Sequence, residues 1–459
     1  NRNNRQNSLV GFPFQHKPAG SGEKVFKVMR NRRLFWGLFS INFLITLGFG
    51  IADAFFSIYV ISLGARGFLL GLPLGIYALS KIILSPFMGA GIDLIGRRRF
   101  LLVSISLYLI VSVSYLLTSN ITCIIFIRLL QGAGCAMLRP VLLALISDCT
   151  QEDRRAEGMG KFDISFYGAL SLGPVIGGIF KDALGFTGIF AMLAFLCVVA
   201  FGIAWRCLPL CRSRVHKTAA TIRPAAAAPS AGMSGKHRTF IGLLAFIFGR
   251  ACGISLLGAF LPVWLIERLH LSGTGAGILL SSSTVVMTAF LYPFGKLSDR
   301  APRQWLIFAG GIIVSLLYFL IPSASGFRPM LLIGGAIGLF SVLSQPASSA
   351  LLIEEGRRHG MGLTLGVFHA ALNLGFAAGP LIGAGIQSSA GLTVVFYAAG
   401  GIGLAACLIF FACAIPVSIA DKIQPFFKRK TKPTITNRRH QDIPNAEHEG
   451  PLAMRENQA

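Results

Sequence analysis

Long apolar stretches alternate with short polar loops along most of the chain. A helix needs about 20 apolar residues to cross the roughly 30 Å hydrocarbon core of a bilayer. Twelve stretches are long enough: 34–62, 67–88, 100–119, 121–147, 159–182, 186–205, 239–266, 273–294, 304–322, 329–353, 361–386 and 392–415. Membrane-spanning β-strands would be shorter and would alternate apolar with polar positions. The pattern therefore predicts an all-α membrane protein with about twelve spans.

The two halves of the chain repeat each other. Three pairs of motif residues are separated by the same 206 positions: Gly89 and Gly295, Pro140 and Pro346, and Gly173 and Gly379. The segment between the sixth and seventh spans is basic, rich in Ala and Pro, and without apolar periodicity, which is typical of a linker. We therefore predict a basic N-terminal tail at 1–33, a six-helix bundle at 34–207, a linker at 208–238, a second bundle at 239–415 and a tail at 416–459.

Composition and charge agree with a membrane protein and indicate its orientation. Hydrophobic residues make up 54% of the chain, and 42 Lys and Arg against 18 Asp and Glu give a formal net charge of +24. The basic residues lie in alternate loops and both tails, a distribution that marks the cytoplasmic side of membrane proteins and not a nucleic-acid surface. Both termini are predicted to be cytoplasmic. The first span is expected to act as an uncleaved insertion signal, and the short loops favour a bacterial cytoplasmic membrane.

Two loops on the basic side share one motif, G-x-L-x-D-R-x-G-R-[RK]. The residues that match it are Gly89, Asp93, Gly96, Arg97 and Arg98 in the first half, and Gly295, Leu297, Asp299, Arg300 and Arg303 in the second. Gly91, Leu94 and Pro302 depart from it. One interpretation is a positive-inside loop that only orients the helices. The acid beside the arginines favours a second, in which charge-assisted bonds form in one conformation and break in another.

Further motifs lie inside the spans. The fourth span carries R-x-x-Q-G-x-G at Arg128, Gln131, Gly132 and Gly134. The fifth carries G-P-x-x-G-G, and the eleventh a related sequence; the residues concerned are Gly173, Pro174, Gly177 and Gly178, and Gly379, Pro380 and Gly383. Proline bends a helix and glycine allows close helix packing, so ordinary packing is an alternative explanation for both.

With these motifs the chain resembles the major facilitator superfamily over about 34–415, and within it the twelve-helix branch of drug:proton antiporters. The resemblance implies two six-helix bundles related by a pseudo-two-fold axis. It also implies that the loop motif is a latch favouring the outward-facing state, and that the fifth-span motif belongs to an antiporter.

Ionisable side chains inside spans are costly, at least about 2.5 kcal/mol each on insertion scales, and so suggest a task. Asp53 and Arg128 lie at compatible depths, since Arg128 is about 10 Å along its helix from Ile121. We hypothesise that they form a proton-sensitive pair, in which separation from Arg128 lets Asp53 take up a proton in competition with substrate. The alternative is a static ion pair or an acid facing the outer water. At the 206 offset the corresponding residues are Ala259 and Gly334.

Five other polar residues are candidates for lining the substrate cavity: Arg250, Arg139, Gln131, His369 and Asp163. Arg250 is expected near the midplane, about 16 Å into the seventh span, where it would attract an anionic substrate or act as a counter-charge to Asp53. Asp163 and His369 occupy equivalent places in the two halves. His369 could carry protons because histidine titrates near neutrality, although a lone histidine on an apolar helix is more often only hydrogen-bonded.

These features predict a secondary active transporter that exports a small organic or amphipathic compound in exchange for protons by alternating access. No nucleotide-binding loop, hydrolase motif or metal-ligand spacing is present, so we predict no enzyme, cofactor or metal. The expected partners are the substrate, protons and lipid, and we expect a monomer that binds no nucleic acid. Two alternatives remain: a proton-symporting or facilitative carrier of an organic anion, and a non-transporting membrane scaffold or sensor.

Overall fold

The structure is a computed structural model of the chain. It describes residues 21–149, 155–207 and 238–428, and the side chains within these ranges except those at 21–31, 89, 90, 93, 147–149, 155–160, 299, 358, 359 and 415–428. The predicted linker, apart from Arg238, lies outside the described residues, as do 1–20 of the first tail and 429–459 of the last.

The N-terminal half consists of α-helices joined by very short loops. The helices are α1 Ser21–Asp53, α2 Phe56–Ser62, α3 Phe68–Ile95, α4 Arg97–Leu117, α5 Ile121–Cys149 and α6 Arg155–Cys207. The first predicted span is two helices in the structure, because the chain leaves helical geometry between Asp53 and Phe56. α6 contains a 47-residue apolar segment, about 70 Å at 1.5 Å per residue. It bends at Gly185, where φ is 67° and ψ is −159°, and therefore supplies two spans.

The C-terminal half repeats this arrangement. Its helices are α7 Arg238–Val263, α8 Gly273–Arg300, α9 Arg303–Leu320, α10 Phe327–His359, α11 Met361–Ala390 and α12 Leu392–Lys428, with a π-helical turn at Trp264–Arg268 and a 3-10 turn at Ile321–Ser323. Eleven helical segments of the described residues are long and apolar enough to cross a membrane. Counting the bent α6 segment twice gives twelve spans, six in each half, so the protein is an all-α, multi-pass membrane protein.

Glycine contacts show the pseudo-two-fold relation between the halves. A β-carbon at Gly71 of α3 would overlap the carbonyl oxygen of Pro380 in α11. Its counterpart 206 positions later, Gly277 of α8, stands in the same relation to the carbonyl oxygen of Pro174 in α6. The two bundles therefore pack through two equivalent contacts, α3 against α11 and α6 against α8, both permitted by the absence of a side chain.

These contacts close one end of the molecule. We call the membrane face that contains the α3–α4 and α8–α9 loops the basic face, and the other the opposite face. The contacts at Gly71 and Gly277 lie near the starts of α3 and α8, which is toward the opposite face. At the basic-face ends of α5 and α6, the side chains of Arg139 and Asp163 are 51% and 48% exposed. The two halves are therefore in close contact toward the opposite face, whereas Arg139 and Asp163 toward the basic face are accessible to solvent.

Candidate functional site

Arg128 is held in place by the packing of α5 against α3. A β-carbon at Gly132 would lie 2.5 Å from the carbonyl oxygen of Tyr77, so only glycine lets the two helices come this close. One turn away, the hydroxyl of Ser80 in α3 donates to the carbonyl of Leu129 at 2.8 Å. These contacts explain why the motif has glycine four residues after the arginine, since this glycine fixes the depth and direction of the Arg128 side chain.

Asp53 and Arg128 form an ion pair, as their depths predicted. Arg128 Nη1 donates to Asp53 Oδ1 at 2.7 Å and to Gln131 Oε1 at 3.1 Å, and Gln131 Oε1 also accepts from the Tyr115 hydroxyl at 2.8 Å. Arg128 is 1% exposed, whereas Asp53 is 38% exposed. The network joins α1, α4 and α5, and Gln131 lies inside it, positioning Arg128. The role of the Asp53–Arg128 pair in proton coupling stays a prediction.

Aromatic rings enclose the guanidinium group of Arg128. Its central carbon lies 3.3 Å from the ring centroid of Phe56, the first residue of α2, and 5.9 Å from the rings of Tyr77 and Tyr115. Cation–π contacts of this kind stabilise a desolvated cation by about 2 kcal/mol. These rings could not be predicted from the sequence, because aromatic residues are frequent in apolar helices and give no distinctive pattern.

The site lies at the break between α1 and α2. Asp53 ends α1, and the next amides make long bonds, Ala54 N to the Gly50 carbonyl at 3.4 Å and Phe55 N to the Ala52 carbonyl at 3.3 Å. Interrupted helices in transporters supply ligand-binding groups at the break. Here the break separates the acid of the pair on α1 from Phe56 on α2, so a movement of α2 would change the surroundings of Arg128 without moving α5.

The fifth-span glycines support α1 beside this break. A β-carbon at Gly173 would lie 2.7 Å from the carbonyl carbon of Gly50, and one at Gly177 would lie 2.6 Å from the carbonyl oxygen of Ile51. The next glycine, Gly178, lies against Gly273 at the start of α8. In the C-terminal half, Gly379 and Gly383 pack closely against α7. The motif therefore provides close helix packing, within each half and between the halves.

The bond from Tyr115 to Gln131 can be tested directly. The variant Tyr115→Phe keeps the ring and removes the hydroxyl, and we expect the free energy of unfolding to fall by about 1 kcal/mol, the usual net value of one buried hydrogen bond. The measurement is the thermal midpoint of the purified protein. Tyr397→Phe is the matched control, since Tyr397 is 41% exposed, and an equal change in both variants would contradict the proposed network.

The remaining cavity candidates lie in two separate places. Near the basic face, Arg139 Nη2 is 3.9 Å from Asp163 Oδ1, and its guanidinium carbon is 4.7 Å from the Phe166 ring centroid. His369, in the other half, is exposed and is subject to the positive charges of Arg139 and Lys81. Arg250 is not part of this group. It lines a cleft inside the C-terminal half.

The predicted switch loops are described only in part. The side chains of Asp93 and Asp299 and the surroundings of Gly89 lie outside the described set, so the latch contact of Asp93 stays a prediction. Arg97 Nη1 donates to the carbonyl of Ala144 at 3.5 Å. Its counterpart at the 206 offset, Arg303, forms an ion pair with Glu354 of α10. Both arginines thus connect their loop to the last turns of a helix in the same half, α5 for Arg97 and α10 for Arg303.

A carboxylate that the sequence analysis did not single out joins the halves at the opposite face. Asp182, at the end of the fifth span, accepts hydrogen bonds from Gly273 N at 2.7 Å, Thr274 N at 2.8 Å and the Thr274 hydroxyl at 2.8 Å. The first amides of a helix lack partners within the helix and attract negative charge. Asp182 therefore caps α8 from the other half. Only the tertiary structure brings these residues together.

Comparison with known proteins gives matches along most of the chain. A family model of the Major Facilitator Superfamily matches residues 38–251 and 239–442. An uncharacterized MFS-type transporter of Methanocaldococcus jannaschii is 24% identical over 77% of this chain and 90% of its own length. The quinolone resistance protein NorA of Staphylococcus aureus is 23% identical over 83% of this chain and 96% of its own length. A crystal structure of the peptide transporter POT in complex with sulfate superposes with a TM-score of 0.69, at 15% identity, over 84% of this chain and 95% of that one.

Proposed function

The chain belongs to the major facilitator superfamily of transporters, and on that premise we propose that it exports a small organic or amphipathic compound in exchange for protons, with Asp53 as the proton-coupling acid. In this proposal the basic face is cytoplasmic, and the structure represents the inward-open state. The similarity to a protein named for quinolone resistance supports an organic compound as the cargo. The residue ranges predicted for tails, bundles and linker remain part of the proposal.

The observation that carries the proposal is the unequal burial of the Asp53–Arg128 pair. Arg128 is 1% exposed and keeps its charge in any state of the protein, whereas Asp53 is 38% exposed and has a route to water. Of the two, only the acid can exchange a proton. It also lies at the helix break, where a small rearrangement can remove it from Arg128. A purely structural ion pair needs neither the exposure nor the break.

A transport cycle follows from this geometry. In the inward-open state Asp53 is ionised and bonded to Arg128. When the bundles rock and the contacts of Gly71, Gly277 and Asp182 separate, the helices around the break move. Asp53 then loses Arg128 and takes up a proton from the outer side. Return to the inward-open state restores the ion pair and releases the proton to the cytoplasm, so that one proton enters as the compound leaves.

A second candidate is a proton symporter or facilitative carrier of an organic anion. Arg250 favours it, because a cation inside the C-terminal half would attract a negatively charged substrate. The direction of proton movement separates it from antiport.

The experiment uses inverted membrane vesicles that hold an acidic interior, with a pH-sensitive dye and panels of lipophilic cations and organic anions. We expect particular compounds to release protons from wild-type vesicles, and Asp53→Asn to reduce this release to background. Asparagine can still accept the bond from Arg128 through its amide oxygen, so the variant should fold. Glu267→Gln is the matched control, because Glu267 is an exposed acid in the turn before α8.

Each result has a defined meaning. Normal release by Asp53→Asn would remove Asp53 from the coupling mechanism. Proton movement in the opposite direction would identify symport. Transport of a compound without any proton movement would indicate a facilitative carrier. If folded wild-type protein transports no compound of the panel and moves no protons, the scaffold or sensor interpretation is favoured.

A further inference from the structure

Arg250 lies in a small cleft that the proposed proton-coupling cycle does not use. The cleft is formed by α7, α9, α10 and α12, and its lining includes four glycines at which these helices pack closely, Gly249, Gly310, Gly311 and Gly403. Tyr318 is the second polar group of the cleft, and a glycine of α7 positions it. A β-carbon at Gly253 would lie 2.9 Å from Cε2 of Tyr318. The Tyr318 ring therefore packs directly on α7, one turn from Arg250.

The charge of Arg250 is not compensated within the described part of the chain. The titratable side chains that interact with it electrostatically are Tyr318 and Tyr167, and phenols are neutral near pH 7. No hydrogen bond or ion pair involves its guanidinium group among the described residues. The guanidinium group of Arg128, by contrast, contacts the carboxylate of Asp53, the side-chain amide of Gln131 and the ring of Phe56. Because a cation in a membrane span is costly and is usually paired, Arg250 is set up to receive a negative charge from outside the chain.

Two hydroxyl groups that line the cleft already donate hydrogen bonds, so they cannot bind that charge. The hydroxyl of Ser315 donates to the Gly311 carbonyl at 2.8 Å, and that of Ser344 donates to the Ser341 carbonyl at 3.1 Å, so both protons are used within their own helices. Among the described residues of the cleft, the guanidinium group of Arg250 and the hydroxyls of Tyr318 and Ser341 remain as donors. A planar guanidinium group matches the two oxygens of a carboxylate.

The size of the cleft limits the ligand. Its free volume is about 30 Å³, and one water molecule needs about 10–15 Å³, so it holds a group of two or three atoms and not an entire organic molecule. Arg250 is only partly buried, and its electrostatic interaction with Tyr167, which belongs to α6 of the N-terminal half, crosses between the two halves. A larger compound lying between the halves can therefore reach Arg250 with one end.

We propose that the cleft of Arg250 and Tyr318 is an anion site that binds the carboxylate group of the transported compound. The identity of the compound rests on the proposed transport function, whereas the anion site itself does not. Arg250 and Tyr318 then determine specificity by selecting compounds with a small anionic end. The same chemistry would also accept a free inorganic anion such as chloride, and the experiment separates these two sources.

The test measures equilibrium binding to purified protein without a pH gradient, from the rise in thermal midpoint, with three probes: benzoate, its neutral analogue benzamide, and chloride at equal sodium concentration. We expect benzoate to stabilise wild type and benzamide to have no effect. Arg250→Gln should weaken benzoate binding at least about tenfold, since bonds to charged groups contribute about 1.5–3 kcal/mol. Tyr318→Phe should weaken it several-fold. Arg268→Gln, which removes an exposed arginine just beyond α7, should bind normally.

Arg250→Lys keeps the charge and provides a second variant if Arg250→Gln does not fold; we expect it to bind benzoate with intermediate affinity. Equal binding by wild type and Arg250→Gln, or no binding of either anion, would overturn the proposal. Chloride acting as strongly as benzoate would assign the cleft to an inorganic anion and overturn its role for the compound. If benzoate binds through Arg250 while the vesicle assay shows no proton exchange, the antiport mechanism fails and the anion site stands.

Discussion

Asp53→Leu is expected to destabilise the protein by about 3–5 kcal/mol, more than Arg128→Met. Removing one member of a buried ion pair leaves the other charge without compensation, and the cost depends on how well that charge is hydrated. Without Asp53, the remaining Arg128 is 1% exposed; without Arg128, the remaining Asp53 is 38% exposed and can be hydrated. We therefore expect Arg128→Met to cost about 1–2 kcal/mol, roughly the loss of its hydrogen bonds.

The measurement is a double-mutant cycle on the free energy of unfolding in mixed detergent micelles. The double variant Asp53→Leu/Arg128→Met contains neither charge, and it should regain most of the stability that Asp53→Leu loses. It should not regain proton-coupled transport. Equal destabilisation by both single variants would contradict the unequal burial. A double variant no more stable than Asp53→Leu would show that the introduced leucine side chain is harmful for steric reasons.

The fold could be predicted from sequence to a large extent, because its main determinants are local or repeated. Apolar length predicts the spans, and the 206-residue offset predicts the halves. The prediction failed where the backbone departs from a regular helix. The break after Asp53 lies within an apolar stretch, Ile51 to Val60, that has neither glycine nor proline, so nothing local indicates it. What distinguishes this place in the structure is tertiary packing, since α6 lies against the backbone of α1 at Gly50 and Ile51.

The candidate site could be predicted only in part, because the sequence indicates depth along a helix but not which helices meet there. Depth along a helix follows from residue number, so Asp53 and Arg128 could be matched before the structure was known. Contacts that depend on helix rotation or on the other half could not be predicted. The ring of Phe56, the cleft around Arg250 and the cap that Asp182 places on α8 all bring together residues from helices distant in sequence. Buried charges can therefore be recognised from sequence, whereas their enclosures cannot.

Gly71→Ala/Gly277→Ala is expected to prevent closure of the opposite face and to reduce turnover more than tenfold. Each added β-carbon would overlap a backbone carbonyl oxygen of the other half, that of Pro380 for Gly71 and that of Pro174 for Gly277. Backbone cannot rotate away as a side chain can, so the bundles must move apart. Overpacking costs about 1–3 kcal/mol at each site, and every 1.4 kcal/mol is a factor of ten in the conformational equilibrium. The measurement is the distance between nitroxide labels at Arg66 and Ser389, with the native cysteines replaced.

The control separates wedging from helix propensity, since alanine favours helix over glycine by about 1 kcal/mol at any interior position. Gly202→Ala/Gly258→Ala makes the same chemical change where a β-carbon would meet nothing within 4 Å, and it should leave the label distance and turnover unchanged. The interfacial pair should lengthen the distance and make the opposite face accessible while the protein stays folded. An unchanged distance would mean that the bundles absorb the added atoms, and that the paired glycines do not set the closed state. A longer distance with full turnover would mean that closure at these contacts is not required for transport.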